Sequence, residues 1–209
     1  LLTAVNKKPK IIDCTVVSIF SSVIEAATYG WGIGGVFGHA YLVPYKKQCV
    51  LVPGYKGLVD LVRKSGQIST ITCETVHEGD FFDYELGETA HVRHKPNDLD
   101  VMRDSKPITH VYLIVKFKDG GVQRSVWSTP KIDAHKEKYS QSWRSAEESQ
   151  YGKQPTQDSF WHTAWPQAAK KTVIRDMVNR GLLPMSAKHR TLIDRDQKID
   201  EGAEIDFGF

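Results

Sequence analysis

The stretch Thr109-His110-Val111-Tyr112-Leu113-Ile114-Val115-Lys116-Phe117-Lys118-Asp119-Gly120-Gly121-Val122-Gln123-Arg124-Ser125-Val126-Trp127-Ser128 decides the fold class. Thr109 to Lys118 is rich in β-branched and aromatic residues and alternates in polarity, as a half-buried strand must. Asp119-Gly120-Gly121 supplies the turn, and Val122 to Ser128 returns. A hairpin closed by such turn chemistry commits this region to antiparallel sheet. Directly after it, Ser128 or Thr129 caps a helix with Pro130 in its first turn.

Upstream, Ile68 to Val76 and Phe81 to Leu86 read as strands on either side of the turn Glu78-Gly79-Asp80, and Glu88 to Lys106 reads as a polar loop. Earlier still, Ala40 to Pro44 and Cys49 to Val52 flank Lys46-Lys47-Gln48 as a second hairpin. Pro53-Gly54 then leads into a helix, Tyr55 to Ser65, closed by Gly66. Leu58, Leu61 and Val62 give it an apolar face. Lys56 and Arg63 share a stripe, and Lys56–Asp60 and Asp60–Lys64 are spaced as ion pairs. Asp13 to Tyr29 reads as a buried helix whose core face is Val16, Ile19, Phe20, Val23, Ile24 and Ala27, after a lead containing Lys7, Lys8, Pro9 and Lys10. Gly30 to Gly38 must be loop. Its glycine spacing, and its place after a helix, do not fit a dinucleotide fingerprint.

Downstream, Tyr139 to Asp158 is rich in Ser, Gln, Glu and Lys and reads as a mobile surface loop. A last helix runs from about Pro166 to Arg180, with Trp165, Ala169, Val173 and Met177 facing the core and Lys171 and Arg175 on another, polar face. Gly181 ends it and Pro184 forbids its continuation.

Two hundred and nine residues, 40% hydrophobic and 25% charged, exclude wholesale disorder. No uninterrupted apolar run approaches the roughly 20 residues of a membrane helix, because Val16 to Phe37 is broken by Ser18, Ser21, Ser22, Glu25 and several glycines. No basic-then-apolar leader opens the chain, and its first residue, Leu1, leaves room for a segment before it. Cys14, Cys49 and Cys73 form no close pair, which points to buried thiols in a reducing, cytoplasmic setting, with a catalytic cysteine as the lesser reading. Residues 194–209 hold six acids against two bases, −4. The chain's net +3 therefore leaves +7 for residues 1–193, a basic body with an acidic tail, as suits a polyanion binder.

Catalytic constellations are not found. His91 and His94 lack a third ligand nearby for zinc. There is no phosphate-binding loop and no nucleophile elbow. Glu74, Glu78, Asp80, Asp83 and Glu85 cluster around one turn, but without the spaced lysine that a magnesium-dependent nuclease carries. They read as a solvated turn, with the nuclease as the enzyme alternative. What remains is positive charge interleaved with aromatics near predicted element ends: Tyr55-Lys56, Arg63-Lys64, Trp127, Lys131, Trp143-Arg144, Trp161, Trp165, and Lys170-Lys171 with Arg175. Single-stranded nucleic acid is held this way, by cations along phosphates and rings against bases. The competing reading puts the tryptophans in the core and the cations on a solvated face, and residue types alone leave both standing.

Specific strings add a resemblance. Gly38-His39-Ala40-Tyr41-Leu42-Val43-Pro44-Tyr45 and the run Leu51 to Gln67 (LVPGYKGLVDLVRKSGQ) resemble the RecT family of phage single-strand annealing proteins. So do Glu74-Thr75-Val76-His77-Glu78-Gly79-Asp80, Thr109-His110-Val111-Tyr112, Lys118-Asp119-Gly120-Gly121, and Ala168-Ala169-Lys170-Lys171-Thr172-Val173-Ile174-Arg175. These blocks keep their order over residues 38–184. Gly30 to Gly38 and Tyr139 to Asp158 follow no pattern of the family, and Pro166-Gln167 stands where acidic residues would precede the final helix.

The resemblance implies an α+β fold: antiparallel β-sheet and hairpins packed with helices around a basic DNA groove, a Redβ/Rad52-like core. It implies a non-enzymatic, ATP-independent recombinase, phage or prophage encoded, without a cofactor and acting in the bacterial cytoplasm. Its partners would be single-stranded DNA, the annealed duplex intermediate, further copies in an oligomer or helical filament, a 5′→3′ exonuclease and a host single-strand binding protein, with no membrane. The expected DNA-binding residues are Tyr55, Lys56, Arg63, Lys64, Lys131, Trp161, Lys170, Lys171 and Arg175. Residues 1–187 would form the annealing core and residues 188–209 an acidic tail. A passive single-strand protector is the alternative binding module.

Overall fold

The computed structural model describes residues 1–33, 37–148 and 155–204. The expectations for residues 34–36 of the glycine-rich loop, 149–154 of the polar loop and 205–209 of the tail lie outside the described residues. The chain divides into two units, residues 1–64 with 185–209, and residues 65–184.

In the first unit, helix α1 (Leu2–Lys7) and a 3-10 turn (Pro9–Asp13) lead into α2 (Val16–Thr28). Strands β1 (Ala40–Tyr45) and β2 (Gln48–Pro53) form the expected antiparallel hairpin, registered from Ala40 opposite Pro53 to Tyr45 opposite Gln48. Helix α3 (Tyr55–Arg63) follows, bound by Gly54 and by Gly66 at φ +75°.

Helix α2 is turned over relative to its hydrophobic pattern. Ser18, Ser22 and Ala26 are buried, while Val16, Phe20, Ile24 and Ala27 are exposed and only Ile19 and Val23 pack partly against the core. The reason lies in β2, whose far edge has backbone groups that β1 does not satisfy. The Cys49 amide donates to Ser18 Oγ at 2.9 Å, and Ser22 Oγ donates to the Cys49 carbonyl at 2.8 Å. An apolar stripe in that place would orphan both groups, at roughly 1–3 kcal/mol each. Covering a sheet edge outweighs burying a row of valine and isoleucine.

The stretch read as an acidic tail is, through Glu201, helix α8 (Ala187–Glu201), numbered here in chain order after the helices of the second unit. Ser186 caps it by accepting from the His189 amide. Leu192 and Ile193 are fully buried, Arg195 reaches Glu25 at 2.7 Å, and Tyr45 donates to the Ala203 carbonyl just beyond the helix.

In the second unit, β3 (Ile68–His77), β6 (Ile108–Phe117) and β7 (Val122–Ser128) form an antiparallel sheet in the order β3-β6-β7. The β6–β7 hairpin is the one expected, with Gly120 at φ +93° and the Gly121 amide donating to the Asp119 carboxylate. Strand β4 (Phe81–Glu85) does not continue that sheet. It pairs with β5 (His91–Lys95), inside the segment expected to be loop. His-Val-Arg-His-Lys has one apolar residue, so β5 forms through hairpin pairing rather than through any hydrophobic alternation of its own.

One sheet face carries Val111, Leu113 and Val115, all fully buried, on the side of α7 (Trp165–Asn179). Helix α7 supplies Ala169, Val173 and Met177, as its four-residue spacing predicts, and Ile174 as well. The other face packs Tyr112 and Val126 under Phe82 and Val92 of the small hairpin. Helix α4 (Thr129–Tyr139) begins with Pro130 as expected. The loop expected from Tyr139 instead begins as helix α5 (Gln141–Glu147), and a short α6 (Phe160–Thr163) precedes α7. His162 ties α6 to α5 through Glu147 at 2.6 Å and to Ser159 at 2.7 Å.

Candidate nucleic-acid interface

The first unit contributes α3, and its position is set by glycines. A Cβ on Gly57 would lie 2.2 Å from the His39 carbonyl oxygen, and one on Gly54 2.4 Å from the Gly38 carbonyl oxygen. The run Gly38-His39-Ala40 therefore presses against the helix N-terminus at a separation only glycine permits. The Gly54 amide donates to the His39 carbonyl at 2.8 Å. This contact presents Lys56 at the surface with its stem over Gly38, and Arg63 is exposed two turns along, on the stripe the spacing predicts. Tyr55 is half-buried.

Lys64 is committed elsewhere. Its ammonium lies 2.6 Å from Asp60, donates to the Tyr29 carbonyl at 2.6 Å and sits 6.0 Å from the Trp31 ring. The Asp60 carboxylate also accepts from the Trp31 indole at 2.6 Å. Burial works to raise the Asp60 carboxyl, but the Lys64 and Trp31 hydrogen bonds outweigh it and hold it below the ordinary range. The Asp60–Lys64 pair expected from spacing is thus present, as a pin between α3 and the end of α2.

In the second unit the expected cations of α7 are less available than a solvated face would make them. Lys170 is paired with Glu74 of β3 at 2.9 Å, Lys171 is half-buried, and Arg175 is buried rather than on an open polar face. The four-residue rhythm marked one buried side of α7, but this helix also buries Ala168, Thr172, Ile174 and Val178, so its surface strip is narrow. Trp161 is buried too, and with Trp143 it receives the Lys136 ammonium, 6.0 and 4.9 Å from the two ring centres. Trp165 donates to Asp133, which also holds Lys136. Trp161 is thus a core residue and Trp143 a half-buried one, with a cation laid on both. Lys131 is exposed, its ammonium 4.0 Å from the Trp127 ring.

Some surface cations were passed over in the sequence. Lys116 and Lys118 are exposed and Arg124 half-buried on the β6–β7 hairpin, near the exposed Thr70 and Thr72 of β3. Alternation could have found two of them: Lys116 and Arg124 fall opposite in phase to the buried Val115 and Leu113. Lys56, Arg63, Lys116, Lys118, Arg124 and Lys131 are groups that can each neutralise a phosphate and release a counterion.

The acid cluster around the Glu78-Gly79-Asp80 turn is only partly solvated. The Asp80 side chain is wholly buried and accepts from Arg103 twice, at 2.7 and 2.8 Å, from His94 at 2.9 Å, and from the His77 and Asn97 amides at 2.9 and 3.0 Å. Arg103 foremost holds its carboxyl far below the usual carboxylate range. With every lone pair engaged, Asp80 is a structural hub and not a metal ligand. Among the described residues, no three His, Cys, Asp or Glu side chains come together as a metal site, and no helix is long and apolar enough to cross a membrane. The cysteines are buried. Desolvation pushes the Cys73 thiol up to about 12 and that of Cys49 to about 11.

An α+β protein of antiparallel sheets and helices that displays cations on both its units, with its paired acids serving structure, is in class a polyanion-binding protein. The chain belongs to the RecT family, whose family model matches residues 1–206. That membership places it among DNA-binding proteins of recombination that anneal single strands. It is 31% identical to Protein RecT of Escherichia coli (strain K12), over 94% of this chain and 68% of that protein. It is 25% identical to the uncharacterized protein YqaK of Bacillus subtilis (strain 168), over 99% of this chain and 66% of that protein. The chain therefore spans about two thirds of the length of these relatives.

Proposed function

We propose that this chain binds single-stranded DNA and pairs complementary strands without ATP, working as an oligomer or filament that holds the new duplex. The observation that carries this reading is the match to the RecT family along residues 1–206. The exposed cations Lys56 and Arg63 in one unit and Lys116, Lys118 and Lys131, with the half-buried Arg124, in the other support it, since they suit a backbone read by charge. Within the second unit Lys170 and Lys171 act with these cations and the buried Trp161 and Arg175 shape its surface from beneath, while in the first unit Lys64 fixes α3 through Asp60 and the Tyr29 carbonyl. Tyr55 supports the start of α3.

The protein works by holding strands rather than by breaking or making covalent bonds. Base-pairing edges must stay free for the incoming strand, so affinity varies little among unstructured oligonucleotides of equal length. A 5′→3′ exonuclease would supply the strand and a host single-strand binding protein would compete for it, in the bacterial cytoplasm.

Mixing complementary oligonucleotides with the protein, without ATP, tests the reading. Accelerated duplex formation at unchanged strand length is expected. Binding without acceleration makes the protein a passive protector, and shortened strands make it a nuclease.

A further inference from the structure

Helix α2 shows solvent the face its sequence built for a core. Val16, Val17, Phe20 and Ile24 are 58–67% exposed, and Ile12 extends the stripe in front of them. These five side chains leave on the order of 500 Å² of apolar surface, near the upper end of the largest patch on a typical monomer. The stripe is stable as it stands, because the serine face is fixed to the β2 edge by two hydrogen bonds. No cation lies among the five, so the patch offers nothing to a phosphate backbone.

A second apolar patch belongs to the other unit. Leu99 and Val101 are 95% exposed, and Met102 and Phe81 are about 60% exposed. All four belong to segments anchored at Asp80. Phe81 follows it in sequence, and the turn carrying the other three is fastened to it at one end by the Asn97 amide and at the other by Arg103. Lys106 holds Asp100 at 2.5 Å in the middle. A flexible loop can fold its apolar residues back, but a turn bound at both ends and at its centre must present them. Its apolar area is also on the order of 500 Å².

Resting on the reading of the chain as an oligomeric annealing protein, we infer that the α2 stripe of one copy receives the Leu99–Met102 turn of the next copy. The two patches match in size and differ in shape, one a ridged helix face and one a protruding turn whose own Asp100 is paired with Lys106. Two different patches on one chain make a head-to-tail contact, which closes into a ring or continues as a helical filament. Together they supply about the apolar part of a standard interface, near 800 Å² per partner with its polar rim.

The test uses two double variants of the full chain, Phe20→Glu with Ile24→Glu, and Leu99→Glu with Val101→Glu. All four side chains are exposed, so each variant should keep the wild-type circular dichroism and melting temperature. Val17→Glu with Phe20→Glu provides a second version of the first. In sedimentation velocity with single-stranded DNA present, wild type should form large assemblies. Each double variant alone should stay monomeric at tenfold higher protein concentration. Mixed one to one, the two variants should form a two-chain species and stop there, because each keeps one intact patch and lacks the other.

Assembly of either variant as wild type overturns the inference, showing that the patch is covered by something other than a copy, such as chain beyond residue 209. A mixture that remains monomeric overturns it too. If the Leu99/Val101 variant assembles normally but loses DNA affinity, the turn serves DNA instead. Strand annealing by wild type, measured in the same samples, reports on the proposed function separately, so either reading can fail without the other.

Discussion

Replacing Asp80 by Asn leaves its shape and removes its charge. The carboxylate now accepts five hydrogen bonds, two of them from one guanidinium, with its side chain fully enclosed. The amide keeps one acceptor oxygen and turns an amino group toward donors. Breaking a buried ion pair costs roughly 3–5 kcal/mol, and the Arg103 side chain, still 19% exposed, recovers part of that from water. A loss of about 3 kcal/mol is expected. With a urea slope near 2 kcal/mol/M, the unfolding midpoint falls by about 1.5 M.

Tryptophan fluorescence follows the relevant unit, because Trp127, Trp143, Trp161 and Trp165 lie within residues 65–184 and only Trp31 lies outside. The pH dependence gives the sign. The Asp80 pKa is depressed in the folded state, so its contribution is whole above the unfolded value, about 3.9, and fades as pH falls below it. The gap between wild type and Asp80→Asn should be constant from pH 7 to 5 and narrow below about pH 4. An unchanged midpoint at pH 7, or a gap that stays the same down to pH 3, refutes the hub.

Gly57→Ala forces a Cβ to within 2.2 Å of a backbone oxygen and should destabilise the first unit by about 3 kcal/mol, whereas the exposed Lys56→Ala should change stability by less than about 0.5; equal effects by denaturation would refute the close approach. Leu192→Ala or Ile193→Ala should each cost roughly 2–4 kcal/mol, and a chain stopped at Ser186 should melt its first unit rather than lose a solvated tail; an unchanged melting temperature would contradict this. Cys73, pushed up to about 12, should react with a disulfide reagent at pH 8 about a thousandfold more slowly than a free thiol until the protein unfolds, and prompt labelling would show it accessible and ionised. Lys56→Ala, Arg63→Ala and Lys131→Ala should each lower the log–log salt slope of single-strand binding by about 0.7, and slopes that do not move in any of the three would place the DNA elsewhere.

Local chemistry was legible along the chain wherever it acts over a few residues. Both hairpins, α3 between Gly54 and Gly66, and the end of α7 near Gly181 were read from turn, cap and spacing alone. The antiparallel α+β class followed from them, and ordered strings from Gly38 to Arg175 carried the family. Strand β5 escaped because it has no apolar rhythm, and α5 because a Ser/Gln/Glu-rich stretch is compatible with either loop or helix.

The candidate site was less legible. Lys56, Arg63 and Lys131 could be placed at the surface from local pattern, but Arg175, read onto a polar face, and Trp161, read as a DNA contact, are buried, since that depends on what packs around α6 and α7. A pattern four residues apart names one buried side of a helix and says nothing of the others. Glu74 took Lys170 from 96 residues away. Asp80, read as one of several solvated acids, acquired its role only when Arg103, His94 and Asn97 were brought to it.

The sequence by itself determined the two hairpins β1–β2 and β6–β7, helices α3 and α7, the antiparallel class and the family, because turns, caps and period are local and persist in any packing. Tertiary structure decided which face is inside where the local pattern and the neighbouring element disagree. Helix α2 shows the physical reason: its sequence carries a good apolar stripe, yet Ser18 and Ser22 face inward because the unpaired edge of β2 needs hydrogen bonds there. Hydrophobic burial is proportional to area and can be recovered elsewhere, including on another chain, whereas a buried amide and carbonyl must be answered where they stand.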